Sequence, residues 1–197
     1  MVIASPASLD RLRALMRPGY KGALALAFAL ALAALGVAGC GNDLSKEADE
    51  GVPIKLGDLE INVQQTRFLN PGQPDDKEYL AGQQLPTPAG MSYLGVFLTM
   101  QNHGDAAVRV PSNAQVSVTD TTGAAYPSVP SHTDFAAPLG TQLAGGAEIP
   151  APGTAAANGP TQGALVIFLV NQGVSENRPL KLEIEFEGET GEITLDI

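Results

Sequence analysis

The sequence predicts an all-β fold, a β-sandwich of about seven strands, for the chain after residue 51. Three observations support this prediction. Apolar and polar residues alternate with period 2, turns rich in Gly and Asp separate the alternating segments, and no amphipathic helical pattern follows residue 40. Short strands joined by such turns are typical of two packed antiparallel sheets.

The first half of the predicted domain contains one half-buried strand and one central strand. In the first, apolar residues alternate with polar ones: Leu59, Ile61 and Val63 with Glu60, Asn62 and Gln64. Residues 92–101 are apolar on both faces, as expected for a central strand. A turn over residues 102–105 follows, in which Gly104 can adopt a positive φ.

The second half repeats this pattern. Val116 and Val118 lead into a hairpin-type turn at residues 120–123, and residues 164–170 form a second continuously apolar strand. The last hairpin alternates most regularly, with one apolar and one charged face: Leu180, Leu182, Ile184 and Phe186 against Lys181, Glu183, Glu185 and Glu187. We expect the glutamates to lie on a solvated sheet face, because alternate strand residues are about 6.6 Å apart, too far to chelate one small ion.

Residues 1–39 have the features of an export signal. Four basic residues between positions 11 and 21 precede an uncharged run from Gly22 to Gly39, which ends directly before Cys40, the single cysteine of the chain. This resembles a bacterial lipoprotein signal peptide, which would be cut between Gly39 and Cys40 after a diacylglycerol is attached to the thiol. An uncleaved transmembrane helix is the alternative, because a helix over this run would span roughly 27 Å. Translation from Met16 instead of Met1 would leave the same apolar run.

Without residues 1–39, the chain is strongly acidic. It retains seven basic and twenty acidic residues, a formal net charge of −13. Such a surface repels phosphate backbones, so we expect no nucleic-acid partner. Residues 40–51 are polar and predict a disordered tether between the lipid on Cys40 and a folded domain over residues 52–197.

Four segments together resemble a family of bacterial lipoproteins. They are residues 57–63, 93–105 with an Asn-His-Gly-Asp turn, 118–126 with an Asp-Thr-Thr-Gly turn, and 163–170. The resemblance covers about residues 52–197 and implies an immunoglobulin-like β-sandwich outside the cytoplasm, lipid-anchored at the cell surface or on the periplasmic face. It supplies no catalytic residues and no cofactor.

Residues with reactive side chains do not form a recognisable catalytic or metal site. His103 lies in a turn and His132 in a long loop, without an acidic pair at ligand spacing. Residues 131–134 read Ser-His-Thr-Asp, but neighbours in a loop need not converge into a triad. We therefore expect no enzymatic activity, no cofactor and no metal ion.

The segment over residues 127–160 is long and rich in Pro, Gly and Ala, and loops of this length are functional or disordered in most compact domains. Phe135, Leu139 and Leu143 are its candidate partner contacts; alternatively, they fold back over the domain's own sheet edge. The predicted function is a non-catalytic binding or scaffold module for an envelope protein or extracellular ligand, held to the membrane through Cys40. The alternative is a carrier of a small cationic solute or metal ion, favoured by the charge.

Overall fold

A computed structural model describes residues 45–197 of the chain, so the predicted signal peptide, its cleavage position at Gly39 and the lipidation site Cys40 lie outside the described residues. The described part contains twelve strands: β1 (Glu47–Asp49), β2 (Ile54–Leu56), β3 (Leu59–Leu69), β4 (Met91–Asn102), β5 (Val108–Arg109), β6 (Val116–Thr119), β7 (Ala125–Val129), β8 (Gln142–Leu143), β9 (Glu148–Ile149), β10 (Ala164–Asn171), β11 (Leu180–Phe186) and β12 (Glu189–Leu195). It also contains two short α-helices, α1 (Pro74–Tyr79) and α2 (Ala155–Asn158), and two 3₁₀ helices, Asn113–Gln115 and Gln172–Glu176.

The strands form two layers that β7 connects. The first sheet has the order β1-β12-β11-β6-β7, and the second has the order β7-β10-β4-β3-β2, with β9 also paired to β4. The start of β7 pairs with β6, whereas Ser128 and Val129 at its end pair with β10. Strands β5 and β8 form a small separate ladder. The predicted all-β sandwich is confirmed, and the strands beyond the expected seven are mostly two or three residues long, too short to show alternation in the sequence.

The main core lies between the two sheets. It is formed by the inward-facing residues of both layers, including Ile61, Leu98, Phe168 and Ile184, all fully buried. The prediction that β4 and β10 are central strands is confirmed, since they pair with each other over eight positions and are buried on both faces over most of their length. Within residues 45–197, no helix is long and apolar enough to cross a membrane.

The prediction that residues 40–51 form a disordered tether is wrong for the last part of this range. Residues 47–49 form β1, which pairs in parallel with β12 at the edge of the first sheet. The Glu50 carboxylate then accepts hydrogen bonds from the backbone N–H groups of Thr66 (2.9 Å) and Asp196 (3.0 Å). An edge strand held by main-chain hydrogen bonds and exposed to solvent needs little apolar periodicity, so its polar sequence resembled a linker.

The two predicted turns have different physical bases. At residues 120–123, the Asp120 carboxylate accepts hydrogen bonds from the Thr122 hydroxyl (2.6 Å) and the backbone N–H groups of Thr122 (2.9 Å) and Ala124 (3.1 Å). The Thr122 hydroxyl is the main reason that the pKa of Asp120 lies below its usual value. At residues 102–105, Gly104 does not use its ability to adopt a positive φ; a Cβ atom there would collide with the Asp58 side chain, so close approach explains the glycine.

Candidate functional site

The outer face of the second sheet, which points away from the main core, is divided into two halves. In the half formed by the start of β4 and most of β10, the outward side chains are apolar and buried. They belong to a second hydrophobic cluster, which α1 and the residue following it help to complete: Leu69, Tyr79, Leu80, Tyr93, Phe97, Leu165 and Ile167. We call this the covered half.

An ion pair holds α1 on the covered half. The Arg67 guanidinium on β3 donates a hydrogen bond to the Asp76 carboxylate at 2.6 Å, and the second Asp76 oxygen accepts the Asn70 backbone N–H at 2.7 Å. The guanidinium also lies over two aromatic rings, 5.6 Å from the Tyr79 centroid and 5.7 Å from that of Phe97. A single side chain thus links the sheet, the helix and the aromatic cluster.

The other half is a polar groove with a volume of about 270 Å³. Strand register explains its floor: Glu60 on β3 is opposite Gln101 on β4, and Gln101 is opposite Glu148 on β9. In the adjacent row, Asn62 is opposite Thr99. Three strands therefore bring carboxylate, amide and hydroxyl groups together from distant parts of the chain.

A β-bulge marks the boundary between the two halves. Val63 pairs with Leu98 and Gln65 with Phe97, so Gln64 is the additional residue of β3. Before the bulge, the odd-numbered residues face the main core; after it, the even-numbered residues Thr66 and Phe68 do. Bulges reorient side chains in this way next to binding sites. Here the bulge places Gln64 in the groove lining and Arg67 on the covered half.

The wall of the groove depends on a glycine. Gly163 has φ 118°, and a Cβ atom added to it would lie 2.9 Å from the backbone nitrogen of Leu98. Its N–H donates to the Ala156 carbonyl in α2 at 3.0 Å. This close approach brings Gln162 and Ala157 alongside the floor, and Pro150 completes the lining.

The groove lining combines two carboxylates with four side-chain amides and one hydroxyl. The Asn62 Oδ1 atom is buried and has no hydrogen-bond donor among the described residues. Glu60 is 3.0 Å from His103 Nε2, whereas the exposed Glu148 carboxylate makes no hydrogen bond within residues 45–197. Among the described residues, no lysine, arginine or aromatic side chain lines the groove. The same part of the chain contains no group of three His, Cys, Asp or Glu residues arranged to hold a metal ion.

The structure places the three predicted contact residues of segment 127–160 against the domain itself. The Phe135 ring packs edge-on against Tyr79, with centroids 4.8 Å apart. Leu143 is 6% exposed and belongs to the main core, against which Leu139 is also packed. The prediction that these side chains are free anchors for a partner is wrong for Leu143, which is buried.

Backbone contacts of the same segment cover a sheet edge. Phe135 accepts the Leu165 N–H at 2.7 Å, and Ala137 donates to the Leu165 carbonyl at 2.9 Å. The edge of β10 that β7 leaves open is thus paired with the segment. This is the alternative arrangement that the sequence left open, and it protects an apolar strand from pairing with another chain. An open hollow of about 400 Å³ remains beside Leu143, and its walls are mostly alanine and proline.

The histidines and their neighbours do not assemble into a catalytic group. His132 is exposed, and the buried Ser131 Oγ atom has no hydrogen-bond partner within residues 45–197. His103 contacts Glu60 at the rim of the groove. Glu183 accepts a hydrogen bond from the Thr119 hydroxyl at 2.7 Å, and Glu185 is exposed on the solvent face of the first sheet.

Sequence reasoning missed the groove residues, although one signal was present. The apolar residues of β3 are at odd-numbered positions up to Val63, whereas Phe68 is at an even-numbered position. This change indicates a bulge at the intervening glutamines. The sequence around Glu148 contains no such signal, because the position of Glu148 next to Gln101 depends on a two-residue strand inside segment 127–160.

No protein-family model matches the chain, and no curated protein matches it significantly. Among solved structures, it is similar to the secreted protein MPT63 from Mycobacterium tuberculosis, with 12% identity, a TM-score of 0.48, and coverage of 77% of this chain and 96% of that one. The yjhA protein from Bacillus subtilis gives 12% identity and a TM-score of 0.48, with coverage of 76% and 99%. An uncharacterized β-sandwich protein from Clostridium difficile gives 15% identity and a TM-score of 0.45, with coverage of 79% and 97%. None of these likenesses assigns a ligand or an activity to this chain.

Proposed function

We propose that the chain is a membrane-anchored extracytoplasmic lipoprotein that acts as a non-catalytic binding module, with the polar groove as its ligand contact. One observation carries the proposal: an open groove lined by carboxylate, amide and hydroxyl side chains lies on a sheet face whose other half is covered. Concave sites with several convergent polar groups are the usual places for ligands to bind.

The anchor is proposed from the sequence around Cys40 together with the start of the fold. Strand β1 begins at Glu47, so only seven residue steps separate it from Cys40. At about 3.6 Å per step, this separation is at most roughly 25 Å. A lipid on Cys40 would therefore hold the domain close to the bilayer.

The finer fold assignment belongs to the same proposal. We interpret the sandwich as an immunoglobulin-like extracellular domain of the lipoprotein family that the sequence resembles. Two layers whose longer strands all pair antiparallel, together with the Asp120 turn, support this interpretation, because both are in keeping with the turn-and-strand pattern of that family.

A carrier of a small cationic solute is the second candidate function. The observation that favours it is the presence of two carboxylates from separate strands, Glu60 and Glu148, in a groove that no lysine or arginine lines among the described residues. A carrier and a binding module would use the same groove, and they differ in whether the ligand is released to another protein.

Substitution of Cys40 tests the anchor. In a bacterial host, Cys40→Ala should abolish labelling by radioactive fatty acid and move the protein from the membrane to the soluble fraction, because no other thiol is present. Mass spectrometry of the unsubstituted protein should show residues 1–39 missing and acyl mass on Cys40. Membrane retention of the variant with an intact N-terminus would instead support an uncleaved helix.

A steric block tests the groove without assuming the chemistry of its ligand. Gln101→Trp fills the groove from its floor, and Gln172→Trp makes the same change at an exposed position outside the groove lining. Calorimetric titrations of the full chain in neutral detergent against amines, polyols and cell-wall fragments should detect a ligand whose binding only the first variant removes. Equal binding by both variants, or binding of no compound, would contradict the proposal.

A further inference from the structure

The polar groove and the apolar hollow beside Leu143 are neighbours on the surface of the domain. We infer that the two recesses form one site for a glycolipid, a membrane lipid with an uncharged sugar headgroup. The headgroup would lie in the groove and one alkyl chain in the hollow. This inference rests on the proposed function and names the ligand class of its groove.

The lining residues show that the two recesses adjoin. Residues 148–150, which include β9, line both of them. In α2, Ala157 lines the groove and Ala156 the hollow, and the same holds for Gly163 and Ala164 at the start of β10. Because adjacent residues line different recesses at these places, one ligand can occupy both by crossing β9.

The hollow provides carbon surface for an alkyl chain. Its buried lining residues are all apolar: Leu143, Ile149, Ala156 and Ala164. Every polar residue of its lining, in contrast, is exposed to solvent. Water inside such a hollow finds few hydrogen-bond partners, whereas an alkyl chain placed there removes apolar surface from water on both sides of the contact.

The capacity of the pair fits a ligand with two chemically different parts. The groove has a volume of about 270 Å³ and the hollow one of about 400 Å³. Together they fall within the range of roughly 300–1,000 Å³ that is usual for small-molecule sites. Neither recess alone combines polar and apolar surface in this way.

The groove suits hydroxyl groups, which both donate and accept hydrogen bonds. Gln64, Gln101 and Gln162 are exposed there, and each of their amides offers donors and an acceptor. Thr99 adds a hydroxyl, and the two carboxylates add further acceptors. A sugar presents several hydroxyls at once, so it can pair with donors and acceptors of such a mixed lining.

Charge favours a sugar over a phosphate, the other common lipid headgroup. Among the described residues, no lysine or arginine lines either recess, whereas Glu60, Glu148 and Asp134 do. Proteins hold phosphates mainly with arginine, lysine or backbone N–H groups, and carboxylates repel them. An uncharged headgroup does not meet this repulsion.

The path of the chain from the anchor brings the groove within reach of the bilayer. The Ser45 carbonyl accepts the Lys55 N–H at 3.3 Å, and Lys55 is opposite Glu60 in the groove lining. Ser45 is thus about 10 Å from Glu60, at roughly 4.8 Å for each strand spacing. Only five residue steps, at most roughly 18 Å, separate Ser45 from Cys40. A domain held this close to a membrane can take its ligand from the lipids of that membrane.

Photocrosslinking in vesicles tests the headgroup with a matched pair of lipids. The full chain is reconstituted into phosphatidylcholine vesicles that contain a small fraction of glucosyl diacylglycerol or of phosphatidylglycerol. Both probes carry the same diazirine group in one acyl chain. We expect crosslinking by the glucosyl lipid to be about fivefold or more above that by phosphatidylglycerol, with the label in residues 134–164 by mass spectrometry.

Two pairs of matched substitutions test the two recesses separately. Ala151→Trp fills the hollow, and Ala155→Trp makes the same change at an exposed position that lines neither recess. We expect only the first to abolish crosslinking by the glucosyl lipid. Gln101→Trp should abolish it from the groove side, while Gln172→Trp leaves it unchanged. Melting temperatures are recorded to show that each variant is folded.

The other outcomes would overturn the inference. Equal crosslinking by the two lipids would remove the role of the sugar, and crosslinking that survives Ala151→Trp would place the alkyl chain elsewhere. A water-soluble compound whose binding is lost in Gln101→Trp but kept in Ala151→Trp would show that the groove serves a free solute, which leaves the proposed function standing. Crosslinking by the glucosyl lipid that survives Gln101→Trp, with no compound bound in the groove, would contradict both.

Discussion

The covered half and the groove share the strands β3 and β4 and their hydrogen-bond ladder, but the outward side chains are buried in the covered half and line an open groove in the other. Phe97 and Leu165, which neighbour each other across β4 and β10, are buried beneath added structure. Thr99, two residues further along β4, faces the open groove. The difference shows that the chain covers its sheet only where apolar side chains require it, because each large apolar side chain gains about 1.5–3 kcal/mol on burial.

The bulge allows one strand to serve both halves. Without the additional residue, Arg67 would face the main core, where its charge would be buried without a partner. With the bulge, Arg67 pairs with Asp76 on α1, and the polar residues before it remain in the groove. We therefore expect substitutions in the covered half to alter stability and those in the groove to alter binding.

The largest effect is expected in the covered half. Phe97→Ala should lower the free energy of unfolding by about 3–5 kcal/mol, as much as Phe168→Ala in the main core, because both rings are fully buried. Urea unfolding followed by circular dichroism measures both values. A loss below about 1 kcal/mol for Phe97→Ala alone would mean that the covered half is dispensable for the fold.

The second-largest loss of stability is expected at the ion pair beneath α1. Asp76→Asn should cost about 2–3 kcal/mol, because the Arg67 charge loses its carboxylate and the Asn70 N–H loses a charged acceptor. Asp75→Asn is the control, since Asp75 is exposed in the same helix. Hydrogen exchange should accelerate in α1 for the first variant only, and equal behaviour of the two would contradict the role of the pair.

A smaller loss of stability is expected at the groove wall. Gly163→Ala should destabilise the fold by about 1–3 kcal/mol, because alanine is strained at φ 118° and its Cβ would press on the backbone of Leu98. Gly173→Ala is the comparison, since nothing lies within 4 Å of a Cβ atom there and its φ is not positive. Thermal unfolding with the same midpoint for both variants would show that the wall tolerates a side chain.

The smallest effect on stability is expected on the groove floor. Glu148→Gln should change the free energy of unfolding by less than about 0.5 kcal/mol, as should Glu185→Gln, because both carboxylates are exposed. The same urea experiment measures them. Destabilisation by Glu148→Gln comparable to that of Asp76→Asn would show that the groove is part of the structural core.

The covered half was partly predictable from the sequence, and the groove was not. The apolar runs at residues 92–101 and 164–170 predict central strands with cover on both faces, which agrees with β10 and with β4 up to Leu98. What provides the cover was not visible: α1 has six residues, and its attachment depends on Arg67 meeting Asp76. Such tertiary contacts have no local sequence pattern.

The groove depends on register, which alternation alone does not fix. Asn62 was predicted to lie on the polar face of its strand, and it does, but its neighbour Thr99 was read as part of an apolar run. Glu148 is 47 positions from Gln101 in sequence and meets it only through β9. The segment that was expected to contact a partner through Phe135 instead covers a sheet edge, because β7 leaves the start of β10 unpaired.

The division of the outer face is tested most directly by nuclear magnetic resonance of the full chain in neutral detergent micelles, with the compound that the Gln101→Trp and Gln172→Trp titrations identify as the added ligand. We predict that the chemical shifts of the backbone amides change in the groove and remain constant in the covered half. The positions expected to change are Asn62, Thr99, Gln101, Glu148 and Gln162; those expected to stay constant are Tyr79, Tyr93 and Ile167. Changes spread evenly over both halves, or confined to the covered half, would contradict it.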